Sequence, residues 1–203
     1  MKLLMLGGAL VVASALVVGF KNNAGAQVGD AAPTFSLPDT NGKSHNLADY
    51  KGKYVVLEWL NYGCPYVQTH YESGSMPKLQ KEWTKKGVVW LSVVSSAPGK
   101  QGHHEPTKMN EIGKKHGIGN TGVLMDPSGA VGKSYGAKTT PHMFVIDPEG
   151  KLIYAGAIDS KPVSNPYEDK TITNYVSQAL NEAMAGKEVS VKTSRPYGCG
   201  VKY

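Results

Sequence analysis

Cys64 is the residue of this sequence whose surroundings best suit chemistry. It lies in the stretch LEWLNYGCPYVQTHY, residues 57–71, where an apolar run ends and Gly63, Cys64 and Pro65 follow. Because proline is favoured at the first position of a helix, this order predicts a strand that turns into a helix with the sulfur at the helix N-terminus. Unpaired N–H groups and the helix dipole favour a thiolate there, so we expect a nucleophilic cysteine. The alternative is a buried and unreactive cysteine.

Two further residues are candidates for acid–base chemistry beside this thiol. Glu58 interrupts an apolar strand, and burial would raise the pKa of its carboxyl group towards neutrality, where it could shuttle the proton of Cys64. A glutamate that faces solvent or pairs with a lysine is the alternative. His70 lies on the predicted helix after Cys64, and the turn could bring its ring near the sulfur.

Cys199 is the only other cysteine of the chain, and it lies between two glycines near the C-terminus. Glycine neighbours allow a close approach of the backbone, so the C-terminal segment could fold back and place Cys199 against Cys64. It would then resolve a sulfenic acid or a mixed disulfide on Cys64, and Arg195 would be carried to the same place. A permanent Cys64–Cys199 disulfide and an unpaired Cys199 thiol are the open alternatives.

The composition argues against nucleic-acid and metal binding. Of the 22 basic residues only Arg195 is an arginine, and lysines spread along a chain are typical of a solvated surface. No set of cysteines and histidines has the spacing of zinc ligands, and adjacent histidines such as His103 and His104 are usually plain surface residues. We therefore predict no nucleic-acid partner, no metal and no cofactor. If the protein did bind a metal, we would expect a copper ion held by Cys64 and a histidine.

The N-terminus predicts export. Lys2 precedes an apolar run over residues 3–20, and Ala24-Gly25-Ala26 follows, a combination typical of a signal peptide. We expect residues 1–26 to be removed, which leaves a periplasmic or secreted protein without stable membrane contact. An uncleaved N-terminal anchor is the alternative. In either case the domain lies outside the cytoplasm, where disulfides persist.

The rest of the chain predicts an α/β domain over residues 27–186 and a tail over residues 187–203 that carries Cys199. The predicted strands are residues 54–60, 88–94, 122–125, 143–146 and 151–157, and the predicted helices are residues 65–86, 106–116, 130–135 and 171–185. Strands that alternate with helices imply parallel pairing, and the last two strands form a hairpin. A mixed sheet with helices on both faces follows, with Cys64 at the carboxyl end of a strand, where such sheets carry their sites.

Several stretches of residues 29–203 carry a family resemblance. They are PTFSLPDTNGKSHNLADYKGKYVVLEWL, GCP, SSAPGKQG, TTPHMFVIDPEGKLIYAGAID and SRPYGCGVKY. Together they resemble the thioredoxin superfamily, in its redoxin branch related to alkyl hydroperoxide reductases and thiol-specific antioxidants. The third and last stretches resemble an extracytoplasmic, thioredoxin-like peroxiredoxin subgroup. The resemblance implies a thioredoxin-like fold with a central mixed sheet, a C-terminal hairpin and helix, and an extended tail.

The resemblance also implies roles for single residues. Cys64 aligns with the thioredoxin nucleophile, and Glu58 aligns with the buried acid of that family. Pro141 aligns with the cis-proline beside the nucleophile, so we expect a cis peptide bond there. The backbone of Thr140 is expected to contact a bound thiol substrate. Substrate binding is assigned to Thr140, Pro141 and Pro65.

The sequence departs from the family pattern around the cysteine. Val67 stands where thioredoxins have the second, resolving cysteine, so exchange within this motif is impossible. Leu57 and Asn61 stand where peroxiredoxins have the proline and threonine of Pro-x-x-x-Thr-x-x-Cys, and the only arginine is distant in the sequence. His70 occupies a helix position where thioredoxin-like reductases of cytochrome maturation carry a glutamate, which favours a role near the sulfur.

These observations predict a thiol-dependent oxidoreductase that reduces peroxides or protein disulfides through Cys64. A reducing thiol protein or a small thiol would be its electron donor. The alternative from another class is a thioredoxin-fold module without turnover, which binds a partner peptide or copper near Cys64 and Pro141.

Overall fold

The computed structural model describes residues 25–162, 169 and 171–203. The predicted signal peptide, residues 1–26, falls almost wholly outside these ranges, and its cleavage stays a prediction. Among the described residues, no helix is both long and apolar enough to cross a membrane.

A five-stranded mixed sheet forms the centre of the fold. The described strands are β1 (Ser36–Pro38), β2 (Ser44–Asn46), β3 (Val55–Trp59), β4 (Val89–Val94), β5 (Gly122–Met125), β6 (Thr139–Thr140), β7 (His142–Ile146), β8 (Leu152–Gly156) and β9 (Cys199–Gly200). The central sheet has the order β5-β4-β3-β7-β8, with β3, β4 and β5 parallel and β7 and β8 antiparallel to their neighbours. The predicted mixed sheet with its closing hairpin is therefore confirmed.

Helices flank the sheet, and two of their predicted limits need correction. The described α-helices are α1 (Pro65–Glu72), α2 (Ser75–Lys85), α3 (Pro106–His116), α4 (Ala130–Tyr135) and α5 (Tyr175–Met184). The helix predicted over residues 65–86 is two helices, because Gly74 adopts a left-handed φ of +74° between them. The last helix begins at Tyr175 rather than at 171, since the Asn174 side chain accepts the N–H of Ser177 at 2.8 Å and caps it.

The alternating side chains of the strands divide the core into two layers. Helices α1, α2, α3 and α5 cover one face, to which they contribute Val67, Trp83, Met109 and Leu180. The N-terminal segment and α4 cover the other face with Phe35, Leu47 and Tyr135. Every residue of β3, β4 and β7 is buried, as expected for central strands that are covered on both sides.

The tail, residues 187–203, packs back along this domain instead of extending from it. The N–H of Ala155 in β8 donates to the carbonyl of Lys192 at 3.1 Å, so the tail begins at the edge of the sheet. Near its end the N–H of Val201 donates to the carbonyl of Lys138 at 3.1 Å. The two-residue strand β9 between these contacts pairs antiparallel with β6.

Candidate active site

The predicted turn from strand to helix is present just after β3. Cys64 caps the N-terminus of α1 and Pro65 takes the first helical position. The N–H of Cys64 donates to the carbonyl of Asn61 at 3.0 Å, and the side chain of Asn61 accepts the N–H of Gly63 at 2.8 Å. Asn61 thus shapes the turn as asparagine often does. The sequence had marked this residue only as a departure from the peroxiredoxin motif.

The loop around Pro141 faces this turn. The Thr140–Pro141 peptide bond is cis, as predicted. The Cys64 thiol donates a hydrogen bond to the carbonyl oxygen of Thr140, with 3.0 Å between sulfur and oxygen. Cys64, Thr140 and Pro141 are buried, with 0% of the Cys64 surface exposed, whereas Pro65 is exposed at the start of α1.

The tail supplies the cover over Cys64. Pairing of β6 with β9 sets Thr140 opposite Cys199, and the Cys199 side chain lies close enough to that of Cys64 for each thiol to shift the pKa of the other. Gly198 makes this approach possible, because its φ is +126° and a Cβ atom there would lie 2.1 Å from the Thr140 oxygen. Both cysteines are free thiols, so the structure brings them together without a permanent bond.

The contact makes the two thiols unequal. Burial raises the pKa of Cys64, but hydrogen bonds from the Cys199 thiol and from the backbone of Val67 and Cys199 leave that pKa below its ordinary value. Burial, the hydrogen bond to Cys64 and the charge of the Cys64 thiolate raise the pKa of Cys199 to about 11, although Lys202 opposes this. Arg195 is exposed to solvent and is not among these groups. Cys64 is therefore the thiol that ionises first.

Glu58 is fully buried in β3, where its carboxyl group accepts four hydrogen bonds. The donors are the Tyr71 hydroxyl at 2.7 Å, the Gln80 amide at 3.0 Å, the Trp90 indole at 2.8 Å and the Ser92 hydroxyl at 2.9 Å. Burial raises the pKa of Glu58 although these donors oppose it. Neither sulfur is among the four partners, so its role as proton carrier for Cys64 stays a prediction. Its contacts fix α1 and α2 against β3 and β4.

His70 is buried in α1 and faces the tail. Its Nδ1 lies 3.2 Å from the Ser75 hydroxyl, and its Nε2 lies 3.1 Å from the Tyr197 hydroxyl and 4.0 Å from the Asp159 carboxylate. Burial lowers the pKa of His70 to about 4, so the ring is neutral at pH 7. Nδ1 thus contacts the start of α2, and Nε2 contacts the segment that carries Cys199, so these partners of the ring do not include the sulfur of Cys64.

Tyr197 and Asp159 are site residues that the sequence analysis missed. Tyr197 lies two residues before Cys199, and its hydroxyl donates to the Asp159 carboxylate at 2.6 Å. Asp159 is 2% exposed, and burial raises its pKa. We call the group of His70, Tyr197 and Asp159 the tail anchor, because it joins α1, the segment after β8 and the tail. The only indication in the sequence was that Tyr197 lies two residues before Cys199. The sequence does not show which residues Tyr197 contacts.

The described part of the chain contains no group of three or more histidine, cysteine, aspartate or glutamate side chains arranged to hold a metal. The Nδ1 of His103 instead lies 3.1 Å from the carbonyl of Ser96.

The chain is similar to a known protein family, to individual proteins and to solved structures. The model of the AhpC/TSA family matches residues 28–155. Thiol-disulfide oxidoreductase ResA of Geobacillus thermodenitrificans (strain NG80-2) is 27% identical over 151 residues, which cover 73% of this chain and 81% of the relative. Thioredoxin-like protein YneN of Bacillus subtilis (strain 168) is 28% identical over 145 residues, or 70% and 79% of the two chains.

Among solved structures, hypothetical protein SMc02350 from Sinorhizobium meliloti 1021 superposes with a TM-score of 0.75 and 25% sequence identity. The superposition covers 87% of this chain and 94% of that chain. The family match ends before the tail, so Cys199 and Tyr197 lie outside the residues that it matches.

Loss of the hydrogen bond from Cys199 should raise the pKa of Cys64. We expect the ionisation midpoint of Cys64 to be higher in Cys199→Ala than in Cys199→Ser, because a serine hydroxyl still donates to the thiolate. Ultraviolet absorbance of the thiolate, followed against pH, gives both midpoints. Equal midpoints, or a lower one in Cys199→Ala, would contradict the assigned hydrogen bond.

Tyr197→Phe should loosen the tail and expose Cys64. The change removes a hydrogen bond to a buried carboxylate, worth about 1.5–3 kcal/mol, so alkylation of Cys64 by iodoacetamide should accelerate about tenfold or more. Both this variant and the control Tyr66→Phe are made in a Cys199→Ser background, so that a single thiol reacts. Tyr66 packs its exposed ring against Tyr197 at 5.8 Å. Equal alkylation rates in the two variants would show that the anchor does not hold the tail.

Glu58→Gln should change how stability depends on pH. Because the folded state raises the pKa of Glu58, the stability that Glu58 contributes is complete below its ordinary pKa of about 4.3. That contribution is lost as pH rises through the folded-state pKa. The free energy of unfolding of the wild type minus that of the variant, measured with urea, should therefore fall as pH rises above about 4.3. A constant or rising difference would refute the raised pKa.

Proposed function

This chain belongs to the AhpC/TSA family and is a thiol oxidoreductase, and from that premise we propose that Cys64 and Cys199 are its redox pair. The observation that carries the proposal is the pairing of Cys199 with Thr140, whose carbonyl oxygen lies 3.0 Å from the Cys64 sulfur. The tail thus supplies the second thiol that the sequence lacks at Val67.

In the first step the Cys64 thiolate attacks one sulfur of a substrate disulfide. The substrate S–S bond breaks, and its electron pair leaves with the other sulfur, which takes a proton from the medium. A mixed disulfide between Cys64 and the substrate remains. The low pKa of Cys64 relative to Cys199 selects it as the attacking group.

In the second step Cys199 attacks the sulfur of Cys64. Once Cys64 is in a mixed disulfide it carries no negative charge, so one of the effects that raise the pKa of Cys199 disappears. The Cys199 thiolate then displaces the substrate's second thiol and forms a Cys64–Cys199 disulfide. A reducing thiol protein or a small thiol supplies the two electrons that restore both thiols.

Peroxide is the second candidate oxidant, and the burial of Cys64 favours it. With 0% of Cys64 exposed, a small molecule can reach the sulfur with less movement of the tail than a protein disulfide needs. The thiolate would break the O–O bond, which gives a sulfenic acid and water after protonation. Cys199 would then condense with the sulfenic acid and release a second water. Against this reading, Leu57 and Asn61 stand in place of the peroxiredoxin proline and threonine.

Both schemes fit a protein outside the cytoplasm. The predicted signal peptide over residues 1–26 would export the domain to the periplasm or the medium, where a Cys64–Cys199 disulfide persists until a dedicated donor reduces it. A peptide-binding module without turnover is the rival class, and it would need the fold but not the thiol of Cys64.

Turnover of the two cysteine variants tests this function. Reduction of insulin disulfides and consumption of hydrogen peroxide, each with excess dithiothreitol, should both be measured. We expect Cys64→Ser to abolish whichever activity the wild type has, because no nucleophile remains. In a separate reaction without dithiothreitol, Cys199→Ser should trap the mixed disulfide or the sulfenic acid on Cys64, which mass spectrometry identifies. The trapped species therefore names the oxidant.

Two results would overturn the proposal. Full turnover in Cys64→Ser would assign the activity to another group, and binding without turnover in the wild type would favour the peptide-binding module. If Cys199 stays open to alkylation after Cys64 has been oxidised, the resolving role of Cys199 fails even where Cys64 is active.

A further inference from the structure

The tail residues 197–200 cover the approach of a protein substrate to Cys64. Cys64 is 0% exposed, and strand β9 lies along β6 with Cys199 opposite Thr140. Among the described strands, β6 pairs with β9 alone. A protein disulfide can therefore reach Cys64 only after this segment has moved, and its departure opens the backbone edge of β6 to another strand.

Gly198 sets the first requirement for a strand that replaces the tail. Its φ is +126°, and a Cβ atom there would lie 2.1 Å from the carbonyl oxygen of Thr140. Any strand in the same register that puts a cysteine in the place of Cys199 brings its preceding residue to that oxygen. We therefore expect glycine directly before the reactive cysteine of a protein substrate.

Tyr197 sets the second requirement, because residues outside the tail hold its side chain. Its ring centroid lies 5.8 Å from that of Tyr66 and 6.4 Å from that of His70, both on α1. Its hydroxyl donates to the Asp159 carboxylate at 2.6 Å and lies 3.1 Å from Nε2 of His70. We call Tyr66, His70 and Asp159 the tyrosine site, since none of them leaves with the tail.

Departure of Tyr197 leaves polar atoms of the tyrosine site without this partner. Oδ1 of Asp159 keeps the N–H of Lys161, at 3.2 Å, but loses the hydroxyl, as does Nε2 of His70. Asp159 and His70 are each 2% exposed while the tail is in place, and an acceptor that loses its donor in such a recess costs free energy. A substrate tyrosine restores these contacts, whereas phenylalanine does not. A site of this kind discriminates strongly between ligands with and without the hydroxyl.

We propose that the tail occupies the binding site of the preferred substrate, a protein whose disulfide lies in an extended Tyr-Gly-Cys segment. The substrate cysteine takes the place of Cys199, its glycine passes the Thr140 oxygen, and its tyrosine fills the tyrosine site. This assignment rests on the redox function proposed above for Cys64 and names the substrate class of that site.

The reaction follows from this placement. The Cys64 thiolate attacks the sulfur of the substrate cysteine, the substrate S–S bond breaks, and its electron pair leaves with the other sulfur, which takes a proton from the medium. The substrate segment then stays on β6 as a mixed disulfide. Because the returning tail pairs with the same edge, the segment leaves β6 as Cys199 attacks the sulfur of Cys64 and releases the substrate cysteine as a thiol.

Peptides with the sequence of residues 195–202, RPYGCGVK, test the proposal. The peptide cysteine is joined by a disulfide to thionitrobenzoate, whose thiolate is the better leaving group, so that attack falls on the peptide sulfur. Visible absorbance of the released thionitrobenzoate gives the rate constant. The protein carries Cys199→Ser, which leaves Cys64 as its only thiol.

Three altered peptides separate the two requirements. Replacing the peptide tyrosine by phenylalanine removes only the hydroxyl and should lower the rate constant about tenfold. Replacing it by alanine removes the ring as well and should lower the rate constant further. Alanine in place of the glycine before the cysteine should cost about tenfold or more. Equal rate constants for the tyrosine and phenylalanine peptides, or for the glycine and alanine peptides, would overturn the proposal.

Protein variants locate the preference. Asp159→Ala removes the acceptor, so the tyrosine and phenylalanine peptides should react at equal rates. Asp169→Ala is the control, because Asp169 is an exposed carboxylate that pairs with Lys161 at 3.3 Å, and it should keep the tenfold preference. The ratio compares two peptides on one protein, so a general change in stability affects both rates alike. A preference that persists in Asp159→Ala would contradict the assigned site, and if this variant does not fold, the peptide comparison decides alone.

Tyr197→Phe tests whether the peptides replace the tail. This change weakens the hold on the tail but leaves the tyrosine site intact, so every peptide should react faster by the same factor and the preference for tyrosine should remain. A preference that disappears in Tyr197→Phe would show that the peptides contact the tail instead of taking its place, which refutes the proposal.

The symmetric disulfide of thionitrobenzoate, which carries no peptide, separates this proposal from the redox function. If it reacts with Cys64 while the peptides show no preference, the substrate class is wrong and the redox function stands. If neither it nor any peptide reacts with Cys64, the redox function fails, and the substrate class fails with it.

Discussion

The pairing of the tail strand with the strand before Pro141 is the constraint on which the site depends. It sets Cys199 opposite Thr140, whose carbonyl oxygen lies 3.0 Å from the sulfur of Cys64, so two thiols that are distant in sequence become neighbours. The approach is open only to glycine at position 198, where a Cβ atom would meet the Thr140 oxygen at 2.1 Å. Burial and this contact together raise the pKa of Cys199, and the contact helps to lower that of Cys64.

This pairing is short, so other contacts must hold it. A ladder of two residues offers few hydrogen bonds, each worth about 0.5–1.5 kcal/mol net. The tail anchor adds the Tyr197 hydroxyl between His70 and Asp159, and the Ser194 hydroxyl accepts the N–H of Ala157 at 2.9 Å. A tail held by a few such contacts covers Cys64 at rest and can still yield to a substrate. The tail anchor therefore joins the segment that carries Cys199 to α1 and to the segment after β8.

The parts of the molecule that the sequence predicted are those with local signals. The apolar runs at residues 54–60 and 88–94 and the pattern at residues 106–116 each lie in consecutive residues, and the proline after Cys64 marks the turn by itself. The tail contacts have no such signal. Strand β9 has two residues, and Tyr197 meets His70 only because the tail crosses the whole domain. The apolar pattern of residues 65–86 predicted one helix, because the spacing of apolar residues does not show the left-handed φ of Gly74 that separates α1 from α2.

The contact between the two thiols also makes their pKa values differ, which decides which thiol ionises first. Two neighbouring thiols cannot both ionise easily, because a negative charge on the first thiol raises the pKa of the second. Here the pKa of Cys64 lies below its ordinary value and that of Cys199 is raised to about 11, so Cys64 ionises first and Cys199 keeps its proton at pH 7. In the proposed mechanism, Cys64 carries no charge once it has formed a bond to a substrate, and one of the effects that raise the pKa of Cys199 is lost. The same electrostatic coupling would then suppress the attack of Cys199 before substrate binds and release it afterwards.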